Sequence, residues 1–265
     1  MAELSVEIAG LRTEILTEDP EVVGVVRERY EGFVSPGTAS WRIEMKTEAV
    51  PDPRPGGDVL LRRNGDGAQF AVRRGDFTGV LDIRRRSGMV TLCEAHEASI
   101  DSFLRIVYSL ALVEVGGLVV HAASLVRHGR AYLFCGPSGS GKTTVARLSP
   151  DATLLSDELS IVRMSDKAAR CHGTPFWGDF GRAGEDRAAP LVGIHFLHHS
   201  SRHTIEAVKP RQALERLLPN VVFFAREVDL TERVLNIAAD VVETVPCFDL
   251  FFRRDAGFWE VIERA

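Results

Sequence analysis

The chain has 265 residues, 45% of them hydrophobic and 26% charged, with a formal net charge of -5. That is enough for one large domain or two small ones with a real core, and the mild acidity gives no global electrostatic reason to bind nucleic acid. Cys93, Cys135, Cys171 and Cys247 are scattered with no C-x-x-C pair, which suits a reduced, cytosolic protein better than a disulfide framework.

In chain order, residues 1–96 read as a smaller, β-rich and irregular region. Asp19–Tyr30 carries a short helix, and Ser40–Met45 alternates as a strand does. Val50–Gly57 is a proline-rich loop that no regular element can cross. Short strands follow at Val59–Leu61, Gln69–Val72, Thr78–Ile83 and Met89–Cys93, with Asn64-Gly65-Asp66-Gly67 and Ser87-Gly88 as turns. From residue 97 to the end the pattern becomes α/β. Phe103, Ile106, Val107, Leu110, Ala111 and Val113 recur at helical spacing until Gly116-Gly117 ends the helix. Leu118-Val119-Val120 is a short strand with His121 at its end, and Ala131–Cys135 is a buried strand. Strands are expected at Thr153–Leu155, Leu159–Arg163, Leu191–Leu197 and Phe248–Phe252. Helices are expected at Arg211–Leu218, Asp229–Val242 and Phe258–Glu263. Cys171–Arg187, rich in glycine, aromatics and charge, reads as a long functional loop. The most apolar stretch, Ile106–Val120, is too short to span a bilayer and contains Glu114. The first residues lack the basic and apolar regions of a signal peptide, so a cytoplasmic protein with no membrane partner is expected.

The strongest signal lies between the strand 131–135 and the helix that begins at Thr144. Gly136-Pro137-Ser138-Gly139-Ser140-Gly141-Lys142-Thr143-Thr144 fits G-x-x-x-x-G-K-[ST] at every fixed position. Glycines let backbone N–H groups turn inward onto phosphate oxygens, and a helix N-terminus behind the loop adds partial positive charge. Lys142 would reach the β- and γ-phosphates of ATP, and the Thr143 hydroxyl would ligate Mg²⁺. An apolar strand then runs into Asp157 and Glu158, with Asp157 15 residues after Lys142. One carboxylate at such a strand end can hold Mg²⁺ while its neighbour takes a proton from a hydroxyl nucleophile. His121 stands 21 residues before Lys142.

Together, a strand ending in His, this loop, and a strand ending in paired acids resemble the catalytic domain of HPr kinase/phosphorylase, whose P-loop core is related in fold to phosphoenolpyruvate carboxykinase. The resemblance covers about residues 117–180 and more loosely the tail from Val245 to Phe252. It implies that His121 lies near the transferred phosphate, that Lys142 and Thr143 serve the loop, and that Asp157 and Glu158 act as base and metal ligand, the base placed on Asp157. It implies an ATP- and Mg²⁺-dependent serine kinase acting on a protein or peptide, as a homo-oligomer. Kinase action on a small hydroxylated metabolite such as free serine, and a non-catalytic nucleotide-binding switch, are the alternatives. The acid pair is Asp-Glu where the family has Asp-Asp, the family's later glycine-rich signature is missing, and residues 1–96 do not resemble its N-terminal domain. Gly173–Gly178 matches a motif of shorter members and reads as a loop on the substrate or phosphate side.

Arg182 and Arg187, in the long loop, are the candidate phosphate clamps. His195, His198, His199 and His203 read as a solvated strand end rather than a zinc site, because no nearby Cys or carboxylate completes a ligand set. Arg62-Arg63, Arg73-Arg74 and Arg84-Arg85-Arg86 read as solvated strand faces.

Overall fold

The computed structural model describes residues 1–48, 57–64 and 67–265. The expected proline-rich loop, apart from Gly57, lies outside these residues, as do Gly65 and Asp66 of the expected turn. The chain is a mixed α/β protein with two sheets, in two compact units: 1–114 with 223–231, and 115–222 with 232–265.

The first unit opens with two strands that the sequence reading did not anticipate, β1 (Ala2–Ile8) and β2 (Leu11–Thr17). Their alternation is clear once the turn is known: Leu4, Val6 and Ile8 are buried on one strand and Leu11, Thr13, Ile15 and Thr17 on the other. Ala9 and Gly10, at φ 53° and 76°, make the tight hairpin turn between them. Helix α1 (Pro20–Arg29) starts where Asp19 accepts the Glu21 N–H at 2.8 Å and proline occupies the first turn. Strands β3 (Trp41–Thr47), β4 (Leu60–Asn64), β5 (Gln69–Arg74), β6 (Phe77–Asp82) and β7 (Ser87–Leu92) complete a seven-stranded sheet of order β1-β2-β3-β7-β6-β5-β4.

Helix α2 (Glu97–Glu114) packs with this unit rather than with the residues after it, so the change of unit falls at 114/115 instead of the expected 96/97. The reason is chemical. Buried Asp101 of α2 accepts Arg29 Nε at 3.0 Å and the Tyr30 hydroxyl at 2.5 Å, and Phe103 meets Phe77 edge-on at 5.8 Å. The Tyr108 hydroxyl reaches the carbonyl oxygens of Val6 and Leu11. Each fully buried aromatic or aliphatic side chain along α2 contributes about 1.5–3 kcal/mol.

The second unit is built on β8 (Gly117–Arg127). It does not stop at His121 as expected, because Ala122–Val126 continue as buried residues for a further half-strand. What ends at His121 is a pairing. Residues 117–121 pair antiparallel with β11 (Leu159–Ser165), and 122–127 pair with β9 (Arg130–Cys135). Strand β10 (Thr153–Ser156) lies against the same second half of β8. Strand β13 (Ala188–His199) changes partner likewise, from β12 (Ala168–His172) over 188–190 to β9 from Leu191 onward. β13 runs parallel to β9 and to β15 (Cys247–Phe252), and β14 (Thr204–Val208) closes on β15 antiparallel. The C-terminal ends of β9, β13 and β15 therefore point the same way. Strands β12 and β14 were not expected: Cys171 and His172, assigned to a long loop, finish β12.

Helix α3 (Lys142–Arg147) follows the glycine-rich loop, α4 (Pro210–Leu217) and α5 (Val228–Thr244) follow β14, and α6 (Phe258–Arg264) ends the chain. Phe134, Phe252, Phe258, Trp259 and Val145 make the core beneath the loop. No helix among the described residues is long and apolar enough to cross a membrane.

Candidate active site

Stretches far apart in sequence meet in a cavity of about 530 Å³ lined by His121, residues of the 138–144 loop, Arg147, Asp157, Glu158, Asp179 and Arg254. Each is delivered by the fold. The loop leaves the C-terminal end of β9, the acids lie at the hinge between β10 and β11, and Arg254 lies just past the end of β15. His121 lies where β8 parts from β11 and joins β9, and the two strands diverge there. This is the sheet-end crevice in which α/β folds bind ligands.

The loop is tightly built. Gly141 has φ +105°, and a Cβ there would come within 2.7 Å of Phe252 Cζ. His199 Nε2 bonds the Gly139 carbonyl oxygen at 2.9 Å. Lys142, only 7% exposed, donates from Nζ to the carbonyl oxygens of Gly136 at 2.8 Å and Pro137 at 3.2 Å. Burial lowers the Lys142 amine from its usual range, and the Glu158 carboxylate works against that shift. Helix α3 is only six residues long, so the attraction for anions rests on Lys142 and the loop N–H groups more than on a helix dipole. The Ser140 hydroxyl is buried with no hydrogen-bond partner among the described residues.

The two acids differ sharply. Asp157 is 2% exposed and both its oxygens are engaged, Oδ1 by the Gly178 N–H at 3.0 Å and Oδ2 by the Phe180 N–H at 2.8 Å. Glu158 is about a third exposed, with Oε2 3.7 Å from His121 Nε2. Its backbone is fixed from both sides, by the Ala122 N–H on its carbonyl oxygen and by the Ser156 hydroxyl on its own N–H. Gly178 leaves room for it, since a Cβ there would stand 2.8 Å from Glu158 Oε2.

The segment 173–187 is a structured strap. Thr174 donates its hydroxyl to Leu159 O at 2.6 Å and its N–H to Leu155 O, and the Glu185 N–H bonds Leu154 O. The Gly173–Gly178 motif thus serves to seat residues 178–180 on Asp157. The arginines expected as clamps are elsewhere. The Arg182 guanidinium rests 5.2 Å from the Phe180 ring centroid, and the cavity takes its arginines from Arg147 and Arg254. Arg147 had a usable signal, one turn beyond Lys142 on the loop helix. Arg254 had one too, in the Arg-Arg pair after a strand that proves parallel to β13.

The histidine run is a solvated strand end only at His198 and His199, which close β13, the first partly exposed and the second exposed. His195 is 1% exposed and stacked between Phe134 and Phe248, at 5.3 and 5.5 Å, because three parallel strands place those rings in register. His198 stacks on Phe251 and bonds Asp249, while His203 bonds Asp255. Among the described residues no group of three or more His, Cys, Asp or Glu is placed to hold a metal.

No curated protein matches the chain. Among solved structures, the HPr(Ser) kinase/phosphatase from Coxiella burnetii aligns with 55% of this chain and 94% of its own, at 8% identity and a TM-score of 0.34. The family model for SynChlorMet cassette protein ScmC matches residues 93–265, which include every residue lining the cavity. The chain belongs to the SynChlorMet cassette protein ScmC family.

Proposed function

We propose that the chain is a phosphotransferase that moves the γ-phosphoryl group of ATP to a hydroxyl acceptor, first of all a serine of a protein or peptide. The observation that carries this is the convergence of a buried lysine on a glycine loop, a partly exposed glutamate and a histidine in one polar cavity. Gly136–Thr144 would hold the triphosphate, with Lys142 turning from the loop carbonyls to the phosphates.

The donor set suits Mg²⁺: the Thr143 hydroxyl and the Asp157 carboxylate offer hard oxygens, few enough to leave the ion its phosphate and water ligands. Each Asp157 oxygen keeps a lone pair beyond the N–H it accepts. When bound, the ion would neutralise charge on the phosphate oxygens. The proton-accepting role, expected at Asp157, passes in this reading to Glu158, whose carboxylate is open and lies beside His121. The acceptor oxygen bonds to phosphorus, the β–γ bridging bond breaks to leave ADP, and the hydroxyl proton goes to Glu158. Most of the rate would come from positioning and charge stabilisation.

A nucleotide-binding switch without transfer is the second reading, favoured by the use of both Asp157 oxygens in holding residues 178–180. Incubation with γ-labelled ATP and Mg²⁺ in lysate, beside a Lys142→Ala sample, separates the two. Label gained only with the wild-type chain supports transfer. Identical labelling in both samples, with ATP still bound by the wild-type chain, leaves the switch.

A further inference from the structure

The arginines around the cavity differ in what they already hold. Arg147 donates from Nη2 to the Asp179 carbonyl oxygen at 2.9 Å, and Arg253 donates from Nε to Asp255 at 2.5 Å. Arg254 is exposed, lines the cavity with Lys142 and Glu158, and makes no hydrogen bond or ion pair with any described residue. The turn around it, by contrast, is braced through Asp255. Asp255 Oδ1 accepts the Gly257 N–H at 2.9 Å and faces His203 Nε2 at 2.7 Å, while Oδ2 takes Arg253. A carboxylate partner calls for a proton on Nε2, and His203 Nδ1 is buried without a hydrogen-bond partner among the described residues. The His203 side chain is 13% exposed and that of Asp255 43%, so the imidazole is the anchored partner of this contact.

The braced turn thus presents an uncommitted guanidinium beside a lysine and a glycine loop. Its planar fork is weakly hydrated and matches paired phosphate oxygens better than an ammonium does. We propose that Arg254 takes the charge that develops on the oxygens of the transferring phosphoryl group. The contact between His203 and Asp255 aims it, which makes His203 a positioning residue. The inference rests on the triphosphate reading of the cavity.

The test uses the full chain and ADP–Mg²⁺, with and without aluminium tetrafluoride, a planar mimic of the group in transfer. The wild-type chain is expected to hold ADP about 10²-fold more tightly with the fluoride than without it. Arg254→Ala should keep its affinity for ADP and lose that gain, with Arg254→Lys retaining part. His203→Ala should lose most of the gain at unchanged ADP affinity, and His203→Gln, whose amide can donate the same bond, should restore it.

Equal weakening of ADP with and without the fluoride in Arg254→Ala, no gain in the wild-type chain, or an undiminished gain in Arg254→Ala overturns the role of Arg254 and leaves the nucleotide site standing. An undiminished gain in His203→Ala overturns the aiming contact. A wild-type chain that binds no ADP takes the triphosphate reading down as well.

Discussion

His121 faces Glu158 across 3.7 Å, Nε2 to Oε2, at the point where β8 leaves β11 for β9. Both side chains are about a third exposed, so water screens their attraction and the pair matters more for where it places a proton acceptor than for stability. Asp157, one residue away, also holds the fold, each of its oxygens accepting a backbone N–H. The two acids should therefore fail differently. Glu158→Gln is expected to lower phosphoryl transfer by about 10²–10⁴-fold with the melting temperature unchanged. Asp157→Asn turns an amide N–H₂ toward a backbone N–H donor and should cost about 1–3 kcal/mol of stability, in addition to the transfer it loses with its Mg²⁺ ligand. Thermal melts and label transfer on both variants check this; the reverse pattern would return the base to Asp157.

Gly178 sets the space around Glu158. A Cβ at this position would meet Glu158 Oε2 at 2.8 Å and Glu158 Cβ at 3.3 Å. Gly178→Ala should push the carboxylate from its place beside His121 and lower transfer by about tenfold or more, since small misplacements of a reacting group are costly. ATP affinity should hold, because the loop 136–144 is untouched. Gly181→Ala serves as the control: φ is +80° there, but no atom lies within 4 Å, so it strains the same strap without touching the acid.

Much of this site was legible in the sequence. The loop Gly136–Thr144 carries its chemistry in contiguous residues, and Asp157-Glu158 announce themselves as acids ending an apolar run. Other features were not legible, for physical reasons. The continuation of β8 past His121 was hidden because Ala122, Ala123 and Ser124 are small and show no alternation, being buried on both faces. The aromatic ladder that absorbs His195 depends on the parallel register of β9, β13 and β15, which no local pattern encodes. Arg254 was passed over because its nearness to Lys142 exists only once β15 is laid parallel to β13. The opening hairpin was missed for a smaller reason: Thr13 and Thr17 occupy inward positions where an apolar pattern was sought.

Gly141 and Gly139 both lie in the left-handed region, at φ +105° and +79°, but their surroundings differ. A Cβ on Gly139 meets nothing within 4 Å, whereas one on Gly141 would stand 2.7 Å from Phe252 Cζ. Gly139→Ala should cost backbone strain alone, about 1–3 kcal/mol. Gly141→Ala should cost more, by pressing on a fully buried ring of the core, and should also weaken ATP binding more strongly. Paired melts and ATP titrations check the order; equal losses would mean that Phe252 does not brace the loop.

Acid should loosen the fold before its carboxylates titrate, through two histidines. Burial pushes His195 from 6.5 down to about 3, and burial aided by the Arg163 and Arg170 charges pushes His172 down to about 4. Between those values and 6.5 the unfolded chain binds a proton at each position and the folded chain does not. Stability is thus fully present above about 6.5 and falls as the pH drops, by up to about 1.4 kcal/mol per pH unit for each histidine. The expected result is a melting temperature that declines steadily from pH 7 to pH 4.5. His195→Phe keeps a ring in the stack with Phe134 and Phe248 but cannot titrate, and His172→Gln removes the other group. Each variant should flatten the slope whatever it does to the melting temperature at pH 7, because packing changes shift the whole curve while titration changes its tilt. A double variant with the wild-type slope would show that these imidazoles are not held neutral by the fold.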